Sequence, residues 1–489
     1  MVQPAAPRAQ LSTKLYYGFG SIAYGVKDSG FNTFLLVFYN QVVGLPPQWV
    51  SLTISIALIV DAFSDPLIGE ISDNWRSRLG RRHPFMYFSA APVAILFFLL
   101  WNPPAWSPGA LLGWLLGCAI LLRICIACYE IPNGALLAEL TPDYDQRTSF
   151  LSYRFFFGVL GGGAMTFGTL GLLFKPTAAQ PVGMLLRAPY FYYGLIGAAA
   201  MAASILISAV GTHRFIPTFR KVPPTHHPTL GQIAREVYAT LSNRNFLNVT
   251  IASLFSAMAA GLATGLTTYF GIYFWKFSSQ QLAVVGAAGA LAAVLGLILA
   301  PLISARFGKR PTAISLAITS VLVGNITMVL KLLGMLPPDG SNALLAVFFA
   351  STVISASVVI AALIIITSML TDIVEDSELK TGRRSEGLFS AAGSFIQKTI
   401  SGIGIFFAGL LLAFVHFPAH ASQVTIDPHI VRNLVLIYMP VHIALIAISI
   451  AFFSRYRIDK SEHEETLRQL AASAAIAQPV IAEQESHLG

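Results

Sequence analysis

The stretch LIVDAFSDPLIGEISD, from Leu58 to Asp73, places two aspartates, Asp61 and Asp65, four residues apart in an otherwise apolar run. In an α-helix, residues i and i+4 lie on one face about one turn apart, so both carboxylates point the same way. An ionised side chain at the centre of a bilayer costs roughly 2.5 to 3.5 kcal/mol on insertion scales. The stretch therefore predicts a membrane helix whose two acids have partners or a function.

The composition of the chain is that of a membrane protein. Of its 489 residues, 55% are hydrophobic and only 11% are charged, which is not the balance of a soluble protein. Twelve apolar runs are long enough for the roughly 20 residues that cross a bilayer as a helix. The runs centre on Leu35, Ile59, Ala94, Leu121, Gly162, Ala200, Ala260, Leu291, Leu322, Val358, Gly404 and Ile446. The sequence thus predicts an all-α membrane protein with twelve transmembrane helices.

The formal charge of +8 indicates topology. Most of the 31 Lys and Arg lie in the termini and the even-numbered loops, and the odd-numbered loops contain only Lys175, Arg187, Lys276, Lys331 and Arg432. By the positive-inside rule, both termini are predicted to be cytoplasmic. No nucleic-acid module accompanies these cations, so lipids and a small molecule are the expected partners, and nucleic acid is not.

A polar stretch divides the chain in two. We predict an N-terminal six-helix half at 12–211, a cytoplasmic linker at 212–245, a C-terminal six-helix half at 246–457 and a mobile cytoplasmic tail at 458–489. A weak repeat supports the two halves, because PLIGEISDNWRSRLGRRHP follows the second run and PLISARFGKRP follows the eighth, at equivalent positions.

Four acids and four bases lie within the apolar runs. They are Lys27, Asp28, Asp61, Asp65, Arg123, Glu130, Arg154 and Lys398. Converging carboxylates repel each other, and a cation or a proton between them relieves the repulsion. The alternative is that the acids simply form salt bridges with the four bases and hold the helices together. The pattern of charges leaves both interpretations open.

Several motifs resemble those of a known transporter family. They are YGFG at Tyr17, KD at Lys27, DAFSDPLIG at Asp61, EIPNGAL at Glu130, LTPDYDQR at Leu140 and SYRFF at Ser152. Together with G-x-x-x-D and G-R-R after the second run, they resemble the glycoside, pentoside and hexuronide cation symporters of the major facilitator superfamily. The resemblance covers nearly the whole chain and implies the major facilitator fold.

The resemblance also implies roles for individual residues. Asp61, Asp65 and Glu130 match the cation-coupling acids, with possible Na⁺ at Asp61 and Asp65 and no other metal or cofactor expected. The residues that match sugar-contacting positions are Lys27, Asp28, Arg154, Ser394 and Lys398. The coupling ion is expected to be Na⁺ or H⁺.

The chain departs from the family pattern around the pocket. Ala127 replaces a threonine ligand of the cation site, which makes Na⁺ less certain than H⁺. Gly134 and Leu363 replace pocket tryptophans, and Gly393 replaces a glutamine. Sugars commonly stack on aromatic faces, so the identity of the substrate is open. Asn133 is a candidate to contact substrate instead, or to pack against a neighbouring helix.

Charged clusters at the predicted cytoplasmic helix ends form a candidate conformational latch. Its residues are Asp73, Arg81, Arg82, Asp372, Asp376, Arg383 and Arg384. Such pairs would close the inner side when the carrier faces outward, and a plain solvated loop is the alternative.

We therefore predict a monomeric secondary active transporter of the plasma (inner) membrane. It would couple H⁺ or Na⁺ to symport of a sugar, glycoside or uronide by alternating access. An alternative substrate is a lysophospholipid or another amphiphile. A membrane enzyme or a transporter-like receptor is a distant alternative, since no nucleophile–base pair or metal motif supports an enzyme.

Overall fold

The computed structural model describes residues 10–141, 144–178, 180–216, 244–381, 386–421 and 426–455, without the side chains of 144–145, 244–246 and 370–396. The regular elements of these residues are helices. We label them α1 to α12 so that their numbers match the predicted apolar runs.

The first helical region, α1, consists of five short segments. They are Leu11–Phe19, Ser21–Ser29, the π-helical Gly30–Phe34, Leu35–Val37 and the π-helical Phe38–Val42. The backbone stays in the right-handed helical region where segments meet, at Gly20, Gly30, Leu35 and Phe38. α1 is therefore one helical path with local changes of pitch.

Eleven helices of the described residues are long and apolar enough to cross a membrane. They are α2 (Pro47–Asn74), α3 (His83–Trp101), α4 (Pro108–Leu140), α5 (Tyr144–Gly168), α6 (Pro189–His213), α7 (Arg244–Tyr269), α8 (Ser279–Phe307), α9 (Lys309–Leu332), α10 (Asn342–Thr381), α11 (Glu386–Phe414) and α12 (Pro428–Phe453). Twelve were predicted, and α1 is the one that differs, because its segments are individually too short. Most of the predicted linker and the whole predicted tail lie outside the described residues.

Proline marks the start of several helices. Pro47, Pro108, Pro189 and Pro428 occupy the first turns of α2, α4, α6 and α12. The first N–H groups of a helix have no intrahelical acceptor, so proline loses nothing there, and its fixed φ suits the helix. These prolines explain where the chain turns back into the bundle.

Helices α1 and α7 end in the same way. The π-helical segment Phe38–Val42 ends α1, and Phe270–Phe274 extends α7. The amide of Leu45 donates to the Tyr39 carbonyl at 2.9 Å, and the amide of Phe277 donates to the Gly271 carbonyl at 3.0 Å. These are the two helices that the predicted repeat makes equivalent.

Buried polar side chains join these two helix ends. The Tyr269 hydroxyl donates to Asn40 Oδ1 at 2.7 Å, and the Tyr273 hydroxyl donates to Gln41 Oε1 at 3.1 Å. The amide of Ala421, after α11, donates to the same Gln41 oxygen at 2.8 Å. Because buried polar groups are costly to leave unpaired, this network holds the end of the bundle closed.

Glycines allow close helix crossings. A Cβ on Gly25 of α1 would clash with the carbonyl oxygen of Gly158 and would lie 2.6 Å from the amide nitrogen of Gly162, both on α5. Gly261 of α7 and Gly404 of α11 meet in the same manner, and a Cβ on Gly404 would lie 2.9 Å from Gly261 Cα. Small residues are the usual means of close packing between membrane helices.

Helices α2 and α11 run side by side in opposite directions. A Cβ on Gly409 would clash with Ser51, and a Cβ on Gly402 would lie 3.3 Å from the Ser55 carbonyl oxygen. Residue numbers therefore decrease along α11 in the direction in which they increase along α2. Continuing this alignment brings Lys398 of α11 opposite Asp61 on α2.

We predict that Gly25→Ala destabilises the protein by about 1 to 3 kcal/mol, because an added methyl group forces the α1 and α5 backbones apart. Thermal unfolding of the purified protein in detergent measures the change. Gly113→Ala on α4 is the matched control, because a Cβ there meets nothing within 4 Å. Equal melting temperatures for the two variants would contradict the close crossing.

Candidate functional site

Asp61 and Asp65 of α2 meet two cations from other helices. Asp61 Oδ2 lies 3.1 Å from Arg123 Nη1 of α4 and 3.1 Å from Lys398 Nζ of α11. Lys398 Nζ also donates to Asp65 Oδ2 at 2.5 Å. We call Asp61, Asp65, Arg123 and Lys398 the ion-pair network.

The network is electrically balanced, and its members Asp61 and Arg123 are buried. The Asp61 and Arg123 side chains are 4% and 5% exposed. The Arg123 guanidinium also lies over the Phe31 ring, with 4.5 Å between the guanidinium carbon and the ring centroid. Two acids and two bases leave no net charge, which suits a site of low dielectric constant.

The structure places Glu130 in a different group from the two aspartates. Glu130 Oε1 lies 3.6 Å from Arg154 Nη2 of α5. Both side chains line a cavity of about 700 Å³ between α1, α4 and α5. Asp28 lines the same cavity. The sequence grouped Glu130 with Asp61 and Asp65, whereas its ion-pair partner here is a predicted substrate residue.

The lining of the cavity includes polar and apolar side chains. Besides its three charged residues, Ser21, Tyr24, Ser29, Asn32, Thr33 and Thr166 contribute polar groups. Leu151, Phe155 and Val159 of α5 form an apolar wall, and Phe155 is 63% exposed. An open cavity of this volume can accommodate a small organic molecule.

Gly134 makes room for Arg154. A Cβ at position 134 would lie 2.9 Å from Arg154 Nη1. The family tryptophan expected at this position would therefore occupy the space that the guanidinium takes here. The replacement of the family tryptophan by Gly134 is thus matched in the structure by the position of the Arg154 side chain.

The other predicted substrate residues are dispersed. Lys27 is buried and pairs with Asp28, with 3.2 Å between Nζ and Oδ1. Lys398 was predicted to contact substrate, but the α2–α11 contact directs it to the aspartates. Asn133 is buried, and its Oδ1 has no hydrogen-bond partner among the described residues. The side chain of Ser394 lies outside the described residues.

Three of the seven predicted latch residues, Asp73, Arg81 and Arg82, lie together at the end of α2 and in the loop that follows it. Arg82 pairs with Asp73, and its Nη1 donates to Ser72 Oγ at 2.8 Å. Arg81 Nη2 lies 2.6 Å from Glu139 Oε1, which is also 3.3 Å from Arg82 Nε. The side chains of the other predicted latch residues, Asp372, Asp376, Arg383 and Arg384, lie outside the described residues.

Sequence reasoning assigned no role to Glu139 and treated Arg123 only as one of four bases that could form a salt bridge with the acids. Glu139 is an acid near the end of α4, and the packing of α4 beside α2 brings it to the basic loop. Arg123 lies on the same helix and reaches Asp61 for the same reason. The one sequence feature that pointed to a contact between α2 and α4 was that both carry charges at similar depths in their apolar runs.

Comparisons with known proteins identify the family of the chain. The family described as MFS/sugar transport protein matches residues 16–460. The isoprimeverose transporter of Lactiplantibacillus pentosus is 26% identical over 92% of this chain and 89% of its own length. The sodium-dependent lysophosphatidylcholine symporter 1 of Gallus gallus is 24% identical over 95% of this chain and 89% of its own length.

A solved transporter shares the fold. The crystal structure of the nucleoside transporter NupG superposes with a TM-score of 0.62 at 13% sequence identity, covering 92% of this chain and all of that one. At this identity, the likeness concerns the fold alone. The family match covers most of the chain and confirms the membership that the motifs predicted. The chain belongs to the MFS/sugar transport proteins, among the glycoside, pentoside and hexuronide cation symporters of the major facilitator superfamily.

Proposed function

We propose that the protein couples Na⁺ or H⁺ to the symport of a sugar, glycoside or uronide across the plasma (inner) membrane. In this proposal α1 to α12 are twelve spans in two six-helix halves, joined by the linker at 212–245, with both termini cytoplasmic. In this proposal the protein works as a monomer, with the ion-pair network and the cavity formed by its own helices.

The observation that carries the proposal is the position of the ion-pair network. Asp61, Asp65 and Arg123 belong to α2 and α4, whereas Lys398 belongs to α11. An ion that binds the carboxylates therefore acts on the contact between the two proposed halves. A ligand shifts a conformational equilibrium only through such a difference in its contacts between states.

The polar residues that line the cavity support a hydroxylated substrate. The Asp28 carboxylate and the Arg154 guanidinium can each engage two adjacent hydroxyls, and a guanidinium can also hold a carboxylate. Both residues line the cavity, one from α1 and one from α5. A glycoside or a uronide offers groups of this kind.

The apolar wall supports a second candidate substrate, a lysophospholipid or another amphiphile. Leu151, Phe155 and Val159 line the cavity together with its charged groups, which suits a molecule with a polar head and an apolar chain. One relative is named a lysophosphatidylcholine symporter. The two substrate classes differ in which of the lining residues they would contact.

Thermal stabilisation of the purified protein tests the proposal. A panel of glycosides, uronides and lysolipids is added with and without Na⁺, since a ligand that binds only the folded state raises the melting temperature. Stabilisation by a member of the first two classes supports the main proposal, and stabilisation by lysolipids alone supports the second. Counterflow into proteoliposomes then checks that the stabilising compound is transported.

Asp65→Asn is expected to abolish uphill accumulation, because an amide cannot exchange a cation or a proton. Asp61→Asn should do the same, but Asp61 is more deeply buried and holds Arg123, so its loss also threatens folding. Accumulation into proteoliposomes under an imposed ion gradient measures the effect. Wild-type accumulation by Asp65→Asn would exclude that residue from coupling.

Asp28→Asn is expected to weaken substrate binding by about tenfold, because a charged hydrogen-bond acceptor becomes a neutral one. Ion affinity should stay unchanged, since Asp28 pairs with Lys27 and not with the ion-pair network. Both affinities are measured on one preparation. A loss of ion affinity with intact substrate binding would reverse the assignment.

The latch residues are expected to affect turnover and not binding. Arg81→Ala with Arg82→Ala should shift the ratio of inward to outward states by about 1 kcal/mol, or roughly fivefold, and slow transport. Glu139→Gln should have a similar effect, because Glu139 contacts both arginines. Substrate affinity at equilibrium should remain within a few-fold of wild type.

The neighbouring arginines provide the control. Arg76→Ala with Arg78→Ala removes the same charge from the same loop, and neither side chain forms an ion pair among the described residues. Transport is normalised to correctly oriented protein. If both double variants slow transport equally, the cations act on topology and the latch is wrong.

A further inference from the structure

Lys398 occupies a position between two carboxylates. Its Nζ lies 3.1 Å from Asp61 Oδ2 and 2.5 Å from Asp65 Oδ2. A small cation that bound both aspartates would lie between the same two carboxylates, because hard cations are coordinated by carboxylate and carbonyl oxygens. The ammonium and the cation therefore compete for one position, because two positive charges there would repel each other.

We infer that Lys398 is a tethered competitor of the coupling ion, and that Na⁺ binds Asp61 and Asp65 by displacing the Lys398 ammonium. The inference rests on the proposed cation-coupled symport. It assigns to Lys398 a role in ion binding in place of the substrate contact that the sequence predicted.

The charge of the network sets the stoichiometry of the exchange. Two carboxylates, one guanidinium and one ammonium are neutral, and replacing the ammonium with one Na⁺ keeps them neutral. Adding Na⁺ without displacement, or replacing the ammonium with a divalent ion, leaves an uncompensated positive charge. Such a charge is costly beside the buried Asp61 and Arg123, so one monovalent cation replaces one ammonium.

The surroundings of the two bases show which of them leaves. The Arg123 side chain is 5% exposed and stacks on Phe31, whereas the Lys398 side chain is 36% exposed. Lysine is a point charge on a flexible four-carbon chain, and arginine is a planar group that resists removal from stacked sites. Lys398 can therefore withdraw while Arg123 stays on Asp61.

The oxygens around the vacated position suit a monovalent cation. Asp61 and Asp65 provide carboxylate oxygens from successive turns of α2. Pro66, within the same helix, has no N–H to donate to the carbonyl of Ala62, four residues earlier. Because Ala62 lies between the two acids in sequence, its carbonyl is a candidate further ligand.

The exchange changes which helices the carboxylates connect. With Lys398 bound, Asp61 and Asp65 connect α2 to α11. With Na⁺ bound, the two aspartates, both on α2, coordinate the ion and no longer contact α11. Ion binding therefore releases a contact between α2 and α11. The ion therefore has a different binding free energy in the inward-facing and outward-facing conformations, as coupling requires.

The test measures Na⁺-dependent thermal stabilisation of the purified full chain, with choline chloride keeping the ionic strength constant. Lys398→Met should lower the Na⁺ concentration at half-maximal stabilisation by about tenfold, because it removes the competitor. Lys398→Arg should raise it, because a guanidinium binds two carboxylates more firmly. Lys331→Met is the matched control, since Lys331 pairs with Asp339 at 2.6 Å, away from the network, and should leave the midpoint unchanged.

Several outcomes overturn the inference. They are an unchanged midpoint in both Lys398 variants, a lost Na⁺ response in Lys398→Met, an equal shift in Lys331→Met, or no Na⁺ response in any variant. Symport is tested separately, by accumulation under Na⁺ and H⁺ gradients. If the wild-type protein accumulates substrate but Lys398→Met leaves the Na⁺ midpoint unchanged, the role of Lys398 as a competitor is wrong and symport stands. If the wild-type protein accumulates no substrate under either gradient, symport is wrong as well.

Discussion

The arrangement of this transporter depends on the cost of burying the Asp61 carboxylate. A 4% exposed acid within a membrane helix needs compensating charge. Arg123 provides it from α4 and Lys398 from α11, so one buried charge holds three helices together. The glycine contacts of α11 with α2 bring the backbones close enough for a lysine side chain to span the distance. Packing by small residues and charge compensation therefore support each other at this site.

Local spacing in the sequence was enough to predict the helices and the shared face of Asp61 and Asp65, because both depend only on run length and helical periodicity. The partners of these acids could not be predicted, since four bases within the apolar runs were equally available. The choice depends on contacts between α2 and distant parts of the chain. Lys398 meets Asp61 because Gly402 and Gly409 align α11 with α2, and the sequence does not show that alignment.

The separation of Glu130 from the aspartates has the same origin. The sequence shows that Arg123 and Glu130 are seven residues apart on one face of α4, which is about two helical turns. It does not show that α2 faces the first of these residues and α5 the second. Gly134 completes the separation, because it leaves space for the Arg154 guanidinium beside Glu130. Motif resemblance located these residues, but only helix packing divided them between an ion-pair network and a cavity.

This division explains how an ion could act on a substrate site that it does not touch. The cavity is built by α1, α4 and α5, and both aspartates lie on α2, which Arg123 ties to α4. In the proposed exchange the Asp61–Arg123 pair stays intact, so α2 remains tied to α4, and the contact that is lost is the one between α2 and α11. The ion would thus alter how firmly α11 is held against α2, which is the difference that rocking of one half against the other requires.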